Sequence, residues 1–163
     1  MFKVGIITAS DKGSKGERED KSGKLIKDIM SANGYDIAMW KILPDEREEI
    51  SKELINMCDN LKLDLILTTG GTGFSPRDFT PEATLDVIDR QVPGISEAMR
   101  YYSLQITPKA MLSRGVSGIR GQTLIINLPG SPKAVKENLE SILPALKHGL
   151  EILKGVAVEC ARK

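Results

Sequence analysis

A glycine-rich segment followed by an arginine and two acids carries the residue types best suited to chemistry. Residues 68–84 read TTGGTGFSPRDFTPEAT, after an apolar run at 63–67 that is typical of a buried strand. Glycine backbone can approach a ligand closely and surround an anion with N–H groups, arginine offers a planar fork to phosphate, and two carboxylates can hold Mg²⁺ beside it. The candidates are Gly70, Gly71, Gly73, Arg77, Asp78 and Glu82. They favour a polyphosphate or nucleotide site.

A purely structural role for this segment stands beside the functional one, because glycine-rich loops after strands are common. The segment is not a P-loop, since G-x-x-x-x-G-K-[ST] is absent, and it does not follow the G-x-G-x-x-G pattern. The residues therefore indicate an anion site, with a metal ion as a second component, but they do not name a reaction.

Alternating apolar patterns place this segment in a mostly parallel sheet. Strands are predicted at 2–8, 35–43, 64–69 and 122–128, and helices at 21–32, 44–61, 81–90, 94–104 and 133–153. Pro144 is expected to kink or divide the last helix, and 111–119 is predicted to be a short irregular strand. The alternation predicts an α/β fold, a mostly parallel sheet with helices on both faces, in a single domain over residues 1–163.

Loops after four predicted strands should meet at one edge of the sheet, because parallel strands put their carboxyl ends together. They bring to the glycine-rich segment Ser10, Asp11, Asp45, Gly130 and Ser131. Asp45 and Ser131 can each also be explained as a helix N-cap. Helix N–H groups after Ser131 would favour a phosphate. The convergence of all these residues on one edge favours a ligand site.

Composition argues against several other classes of function. The 163 residues include 23 basic and 22 acidic side chains, a net charge of +1, which is unlike a nucleic-acid or polybasic membrane surface. The single histidine, His148, argues against His-rich metal sites. Cys58 and Cys160 lack metal-ligand spacing, and whether they pair is left open. Without a signal peptide or a membrane-length apolar run, we expect a cytoplasmic protein that binds neither nucleic acid nor membranes.

Several motifs taken together resemble the MogA/MoaB family of molybdenum cofactor biosynthesis proteins, and the G domain of gephyrin and its plant counterpart are similar. The resemblance rests on residues 68–84, on LSR at 112–114, and on GIRG at 118–121 running into LIINLPGSPKAV. It extends from Val4 through the last helix, so it covers essentially the whole chain.

This resemblance implies a three-layer α/β/α sandwich, a homotrimer and a molybdopterin adenylyltransferase. Such a protein uses Mg²⁺ and the co-substrate ATP to adenylylate the terminal phosphate of molybdopterin, and a molybdenum insertase protein is the implied partner downstream. By motif position the functional aspartates are Asp45 and Asp78, which would hold Mg²⁺ on the triphosphate. The implied pocket residues are Gly71, Thr72, Gly73, Ser113, Gly130 and Ser131.

Two other functions stay open at the level of the sequence. One is a non-catalytic MoaB-type member that binds molybdopterin or acts as a scaffold without adenylylating it, and the other is a general nucleotide-binding regulator. The presence of both Asp45 and Asp78 favours the enzyme.

The implied trimer has an independent but weak sequence signal. Apolar and aromatic residues cluster outside the regular alternation at Ile95, Met99, Tyr101, Tyr102, Leu104 and Ile106. These residue types are enriched at interface cores, yet they could equally complete the core of the monomer.

Overall fold

Residues 1–156, described by a computed structural model, form a six-stranded mixed sheet with hydrophobic clusters on both faces. The strands are β1 (Lys3–Ala9), β2 (Asp36–Leu43), β3 (Leu65–Thr69), β4 (Arg90–Gln91), β5 (Ser117–Arg120) and β6 (Thr123–Leu128). Their order is β2-β1-β3-β6-β5-β4. β1, β2, β3 and β6 run parallel, and β5 and β4 pair antiparallel at one side.

Helices connect and cover these strands. They are α1 (Asp11–Ser14), α2 (Lys21–Ala32), α3 (Arg47–Ile55), α4 (Thr80–Leu85), α5 (Pro93–Leu104) and α6 (Pro132–Leu153), with a π turn at Asn56–Asn60 and a 3₁₀ turn at Pro108–Leu112. On β3, Leu65 and Leu67 join the cluster built with α2, α5 and α6, whereas Ile66 joins the one built with α3 and α4. Because both faces are covered, every residue of β3 is buried.

The predicted α/β class and mostly parallel sheet are confirmed, and the corrections concern the ends of elements. The helix predicted at 81–90 ends at Leu85, and Arg90–Gln91 instead joins the sheet as β4 through pairing with β5. The irregular strand predicted at 111–119 is a 3₁₀ turn followed by β5.

Pro144 does not divide the last helix. The helix α6 runs from Pro132 to Leu153 with this proline inside it. Ile142 and Leu146, on either side of the proline, are buried in the core. Burial of this helix face outweighs the loss of one backbone hydrogen bond.

The register of the parallel strands sets the position of the loops. Thr69 of β3 lies beside Thr8 of β1 and Leu128 of β6, and Ala9 lies beside Leu43 of β2. The four strands therefore end level with one another, and the loops at 10–20, 44–46, 70–79 and 129–131 leave the sheet at one edge.

Two findings bear on other predictions from composition. Among residues 1–156, no helix is both long and apolar enough to cross a membrane. Cys58 is buried in the core, and Cys160 lies outside the described residues.

Candidate functional site

A cavity of about 840 Å³ opens at the carboxyl edge of the parallel strands. We call it the aspartate pocket, and residues from all four loops line it: Ser10, Asp45, Gly70, Gly71, Asp78, Gly130 and Ser131. These seven were proposed from the sequence, and parallel pairing brings them together. Asp11, Arg77 and Glu82 do not line this cavity.

Asp45 is held by the loop that follows β1. The N–H of Asp11 donates to Asp45 Oδ2 at 2.9 Å, and the N–H of Asp45 donates to Asp11 Oδ1 at 3.0 Å. The N-cap role considered for Asp45 is wrong, because α3 begins two residues later and its N-cap is Glu46. The carboxylate of Asp45 is therefore available to the pocket.

Arg77 joins three loops. Its Nε donates to Asp11 Oδ2 at 2.6 Å, and its Nη2 donates to Asp11 Oδ1 at 3.0 Å and to Glu46 Oε1 at 2.7 Å. The side chain of Arg77 is half exposed, so the ion pairs add little to stability and serve mainly to fix geometry. In this structure the guanidinium fork, expected to bind phosphate, binds carboxylates.

The pocket concentrates negative charge at its aspartates. Burial, together with the nearby charges of Asp11 and Asp78, raises the pKa of Asp45 above its ordinary value. Asp11, which does not line the pocket, shows the opposite shift, because the hydrogen bond from Arg77 lowers its pKa. Two carboxylates, one of them ionised at a cost, form an environment that attracts a cation.

Mg²⁺ fits this donor set, since it is usually bound by one or two carboxylates together with phosphate oxygens and water. Within residues 1–156, no group of three acidic, histidine or cysteine side chains forms a complete metal site. Asp45 and Asp78 would therefore hold the ion only together with oxygen atoms from a ligand.

Two helix N-termini lie at the same cavity. The first residues of α2 and α6, Lys21 and Pro132, line the pocket, so the positive dipole ends of both helices are close to it. Ser131 is the N-cap of α6, as the sequence indicates, and accepts from the N–H of Ala134 at 3.3 Å. Gly70 and Gly71 have φ of +87° and +67°, a backbone conformation that favours glycine.

Sequence reasoning missed Asp20, which lines the pocket and caps α2. Its carboxylate accepts from Gly23 N–H at 2.8 Å, from the Trp40 indole at 3.1 Å and from the hydroxyl of Thr8. Ser22 then donates to the carbonyl of Gly130 at 2.7 Å, which ties the start of α2 to the start of α6. The available signal was an aspartate, a favoured N-cap residue, directly before the helix predicted at 21–32.

A second cavity of about 340 Å³ shares Ser131 with the aspartate pocket. We call it the neighbouring pocket, and its lining combines apolar and hydrogen-bonding groups that include Thr72, Gly73, Met99, Arg100, Ser113 and Asn138. Three residues proposed from the sequence, Thr72, Gly73 and Ser113, thus line the neighbouring pocket. Gly73 is also close to Asp78, because a Cβ at Gly73 would lie 2.9 Å from Asp78 Oδ2.

Glu82 lies in α4 and lines neither cavity. Its Oε1 forms an ion pair with Arg114 instead. Although burial alone would oppose ionisation, the hydrogen bond from Arg114 helps to bring the pKa of Glu82 below its ordinary value. Arg114, from the LSR motif, was not proposed as a site residue, because its contacts are to a segment far away in the chain.

Comparison with known proteins gives consistent results. The chain matches the family model for a probable molybdopterin binding domain over residues 5–148. It is 46% identical over 155 residues to a molybdopterin adenylyltransferase of Helicobacter pylori, covering 93% of this chain and 88% of that protein. A molybdopterin adenylyltransferase of Escherichia coli is 38% identical over 175 residues, with 98% and 89% covered. The crystal structure of the molybdopterin biosynthesis enzyme MoaB from Thermus thermophilus superposes with a TM-score of 0.90 at 52% identity, covering 95% of this chain and 98% of that one.

Replacing Gly71 by alanine should lower the free energy of unfolding by about 2 kcal/mol or more. A non-glycine residue at this positive φ costs about 1–2 kcal/mol, and its Cβ would also collide with the buried hydroxyl of Thr80. Gly149→Ala is the control, because a Cβ at that helical position meets nothing within 4 Å. This variant should raise the free energy of unfolding by at most about 1 kcal/mol. Urea unfolding measures the stability of both variants, and equal stabilities of Gly71→Ala and Gly149→Ala would contradict this account of the loop.

Asp45→Asn should stabilise the protein at pH 7 in the absence of added metal. A raised pKa means that the folded state holds the proton more tightly than the unfolded chain, so the ionised carboxylate costs stability once the pH exceeds the folded pKa. The advantage of asparagine should shrink as the pH falls toward the ordinary carboxyl pKa of 3.8. Asp11→Asn should do the reverse, because the pKa of Asp11 is lowered.

Thermal melts of both variants between neutral and acid pH test these two opposite changes in stability. If Asp45→Asn is destabilised at pH 7 and keeps normal secondary structure, the ionised carboxylate stabilises the fold and the expectation is wrong.

Proposed function

The chain belongs to the family of probable molybdopterin binding domains, and we propose that it adenylylates molybdopterin with ATP. A phosphate oxygen of molybdopterin attacks the α-phosphorus of ATP, the bond from that phosphorus to the bridging oxygen breaks, and pyrophosphate leaves. No base is required, because a phosphate nucleophile is already deprotonated at pH 7. The observation that carries the proposal is the convergence of Asp45, Asp78 and two helix N-termini on one pocket.

Both substrates are anions, so the site must offset their repulsion as it aligns them. Gly70 and Gly71 offer backbone N–H groups to phosphate oxygens, and the N-terminal dipoles of α2 and α6 add positive potential. Asp45 and Asp78 would hold Mg²⁺ on the triphosphate, and the ion supplies positive charge where negative charge develops. The carboxylates thus position a cation and take no proton from the substrate.

We assign ATP to the aspartate pocket and molybdopterin to the neighbouring pocket. The first offers carboxylates for the metal and helix N-termini for phosphates, whereas the second joins apolar Met99 to the side chains of Ser113 and Asn138. Their shared residue, Ser131, would then lie where the phosphate of molybdopterin meets ATP. Such a division supports transfer between two bound molecules, and a protein that only binds molybdopterin would not need the aspartates.

Three further proposals follow from the family. Residues 1–163 act as one domain, the protein works in the cytoplasm without nucleic acid or membrane, and the adenylylated product passes to a molybdenum insertase protein. The adenylylated product is ready for metal insertion, and the insertase protein carries out that insertion.

We also propose that the protein assembles as a homotrimer. Of the apolar cluster noted in the sequence, Met99 is buried in the core and Ile95 packs against it. Tyr101 is 72% exposed, and Tyr102, Leu104 and Ile106 are exposed beside it. Exposed Met111 and Leu112 of the following 3₁₀ turn extend this apolar surface. A surface of this kind fits burial against other copies in a closed ring.

Asp78→Asn should reduce the rate of adenylylation by about 10²-fold or more, comparable to the loss of one preorganised electrostatic contact. The fold should persist, because an asparagine oxygen can still accept the N–H of Ser75 that Asp78 accepts at 3.0 Å. Adenylylation kinetics with ATP, Mg²⁺ and molybdopterin, paired with thermal melting, measure both effects. Near-normal rates would remove Asp78 from the mechanism, and an inactive wild-type protein that still binds molybdopterin would favour the non-catalytic alternative.

Light scattering at micromolar concentration should give a mass near three chains. Tyr101→Lys should shift the protein toward monomers, because the lysine charge would be buried at the contact. Ile55→Lys is the matched control, since Ile55 is an exposed apolar residue in α3. A wild-type monomer with full activity would defeat the assembly proposal.

A further inference from the structure

We propose that Arg114 is a positioning residue for adenylyl transfer: it holds the loop that carries Asp78 and joins that loop to the wall of the neighbouring pocket. The inference rests on the proposed function for its effect on rate, but the contacts that carry it stand on their own. Arg114 lines neither cavity, so its effect on the reaction would be indirect.

The guanidinium of Arg114 reaches three acceptors along one segment. Its Nε donates to the carbonyl of Gly73 at 2.8 Å, its Nη2 donates to the carbonyl of Asp78 at 2.7 Å, and its Nη1 is paired with Glu82. The backbone N–H of Arg114 also donates to the carbonyl of Thr72 at 2.9 Å. One residue therefore fixes both ends of the segment that leads to Asp78.

Apart from Arg77, which joins the segment to Asp11 and Glu46, few other contacts hold its shape. Residues 72–79 form neither helix nor strand. Within them, the N–H of Asp78 donates to the carbonyl of Ser75 at 2.9 Å, and the N–H of Ser75 donates to the Asp78 carboxylate at 3.0 Å. These two bonds form a local turn that carries Asp78 but does not attach it to the sheet. Arg114 provides the attachment on one side of this turn.

Arg114 itself lies in a segment that forms part of the neighbouring pocket. Ser113 and Gly115, on either side of it, both line that cavity. Arg100, another lining residue, donates to the carbonyl of Gly115 at 2.8 Å and so anchors the segment to α5. A packed chain of contacts thus runs from the neighbouring pocket through residues 113–115 to Asp78 in the aspartate pocket.

Arginine is specifically suited to this role. Its planar fork offers donors in several fixed directions, whereas lysine places all its donors on one nitrogen. A lysine at position 114 could satisfy Glu82 or a single carbonyl, but it could not reach both Gly73 and Asp78 in the same way. The ion pair with Glu82 is half-buried, so it orients the fork more firmly than an exposed pair would.

Arg114→Lys is the decisive variant, and Arg120→Lys is its matched control. Arg120 also makes three hydrogen bonds, to both oxygens of Asp59 at 3.0 and 2.6 Å and to the carbonyl of Val87 at 2.8 Å, and it lines neither cavity. We expect kcat for adenylylation to fall about 10²-fold in Arg114→Lys, the scale of a small misplacement of a catalytic group, while the KM values change far less. Arg120→Lys should keep the wild-type kcat.

Two further measurements separate positioning from folding. Backbone hydrogen exchange within residues 72–78 should accelerate in Arg114→Lys and not in Arg120→Lys. In Arg114→Ala, millimolar guanidinium should restore part of the lost kcat, whereas ammonium should not, because only the planar ion can bridge the vacated acceptors.

The outcomes are distinguishable. A wild-type kcat in Arg114→Lys overturns the inference. The inference also fails if Arg114→Lys and Arg120→Lys lose kcat to the same extent and melting temperature to the same extent, because Arg114 would then act only in folding. If the wild-type protein does not adenylylate molybdopterin, the proposed function fails, yet hydrogen exchange still decides whether Arg114 holds the Asp78 segment.

Discussion

The strands β1, β2, β3 and β6 lie parallel and end level with one another, so the loops that follow them must leave the sheet at a single edge. The core makes this register rigid. The residues of β3 and β6 are buried on both faces, and a slip by one residue would turn each apolar side chain toward the wrong cluster. The apolar packing of the sheet therefore determines where the loops that carry Asp45 and Asp78 begin.

The same edge carries an unfavourable charge distribution. Asp20, Asp45 and Asp78 line one cavity, and the proposed substrates are themselves anions. Arg18 and Lys21, which line the same cavity, can offset this repulsion together with the dipoles of two helix N-termini and a bound divalent cation. Burial raises the pKa of Asp45, so its ionised form costs stability, as expected for a carboxylate that serves binding.

Two arginines act on opposite sides of the glycine-rich segment. Arg77 joins it to the loops after β1 and β2 through Asp11 and Glu46, and Arg114 joins it to the segment that forms the neighbouring pocket. An irregular loop makes few hydrogen bonds of its own, so charged forks from other parts of the chain supply its geometry. In this arrangement the arginines serve as connectors between loops, which leaves backbone N–H groups and metal ligands to face the substrates.

Local patterns in the sequence were sufficient for the α/β class, the edge of the sheet and the N-cap at Ser131, because apolar periodicity and capping depend on neighbours in the chain. Local patterns could not decide Asp45, which fits an N-cap and a ligand equally well until the start of α3 is known. Nor could they pair Arg77 with Asp11, 66 residues away, or Glu82 with Arg114, 32 residues away. The sequence determined which residues reach the edge; only the tertiary structure decided which carboxylates neutralise arginines and which remain available to a cation, because that choice depends on distances between loops remote in the chain.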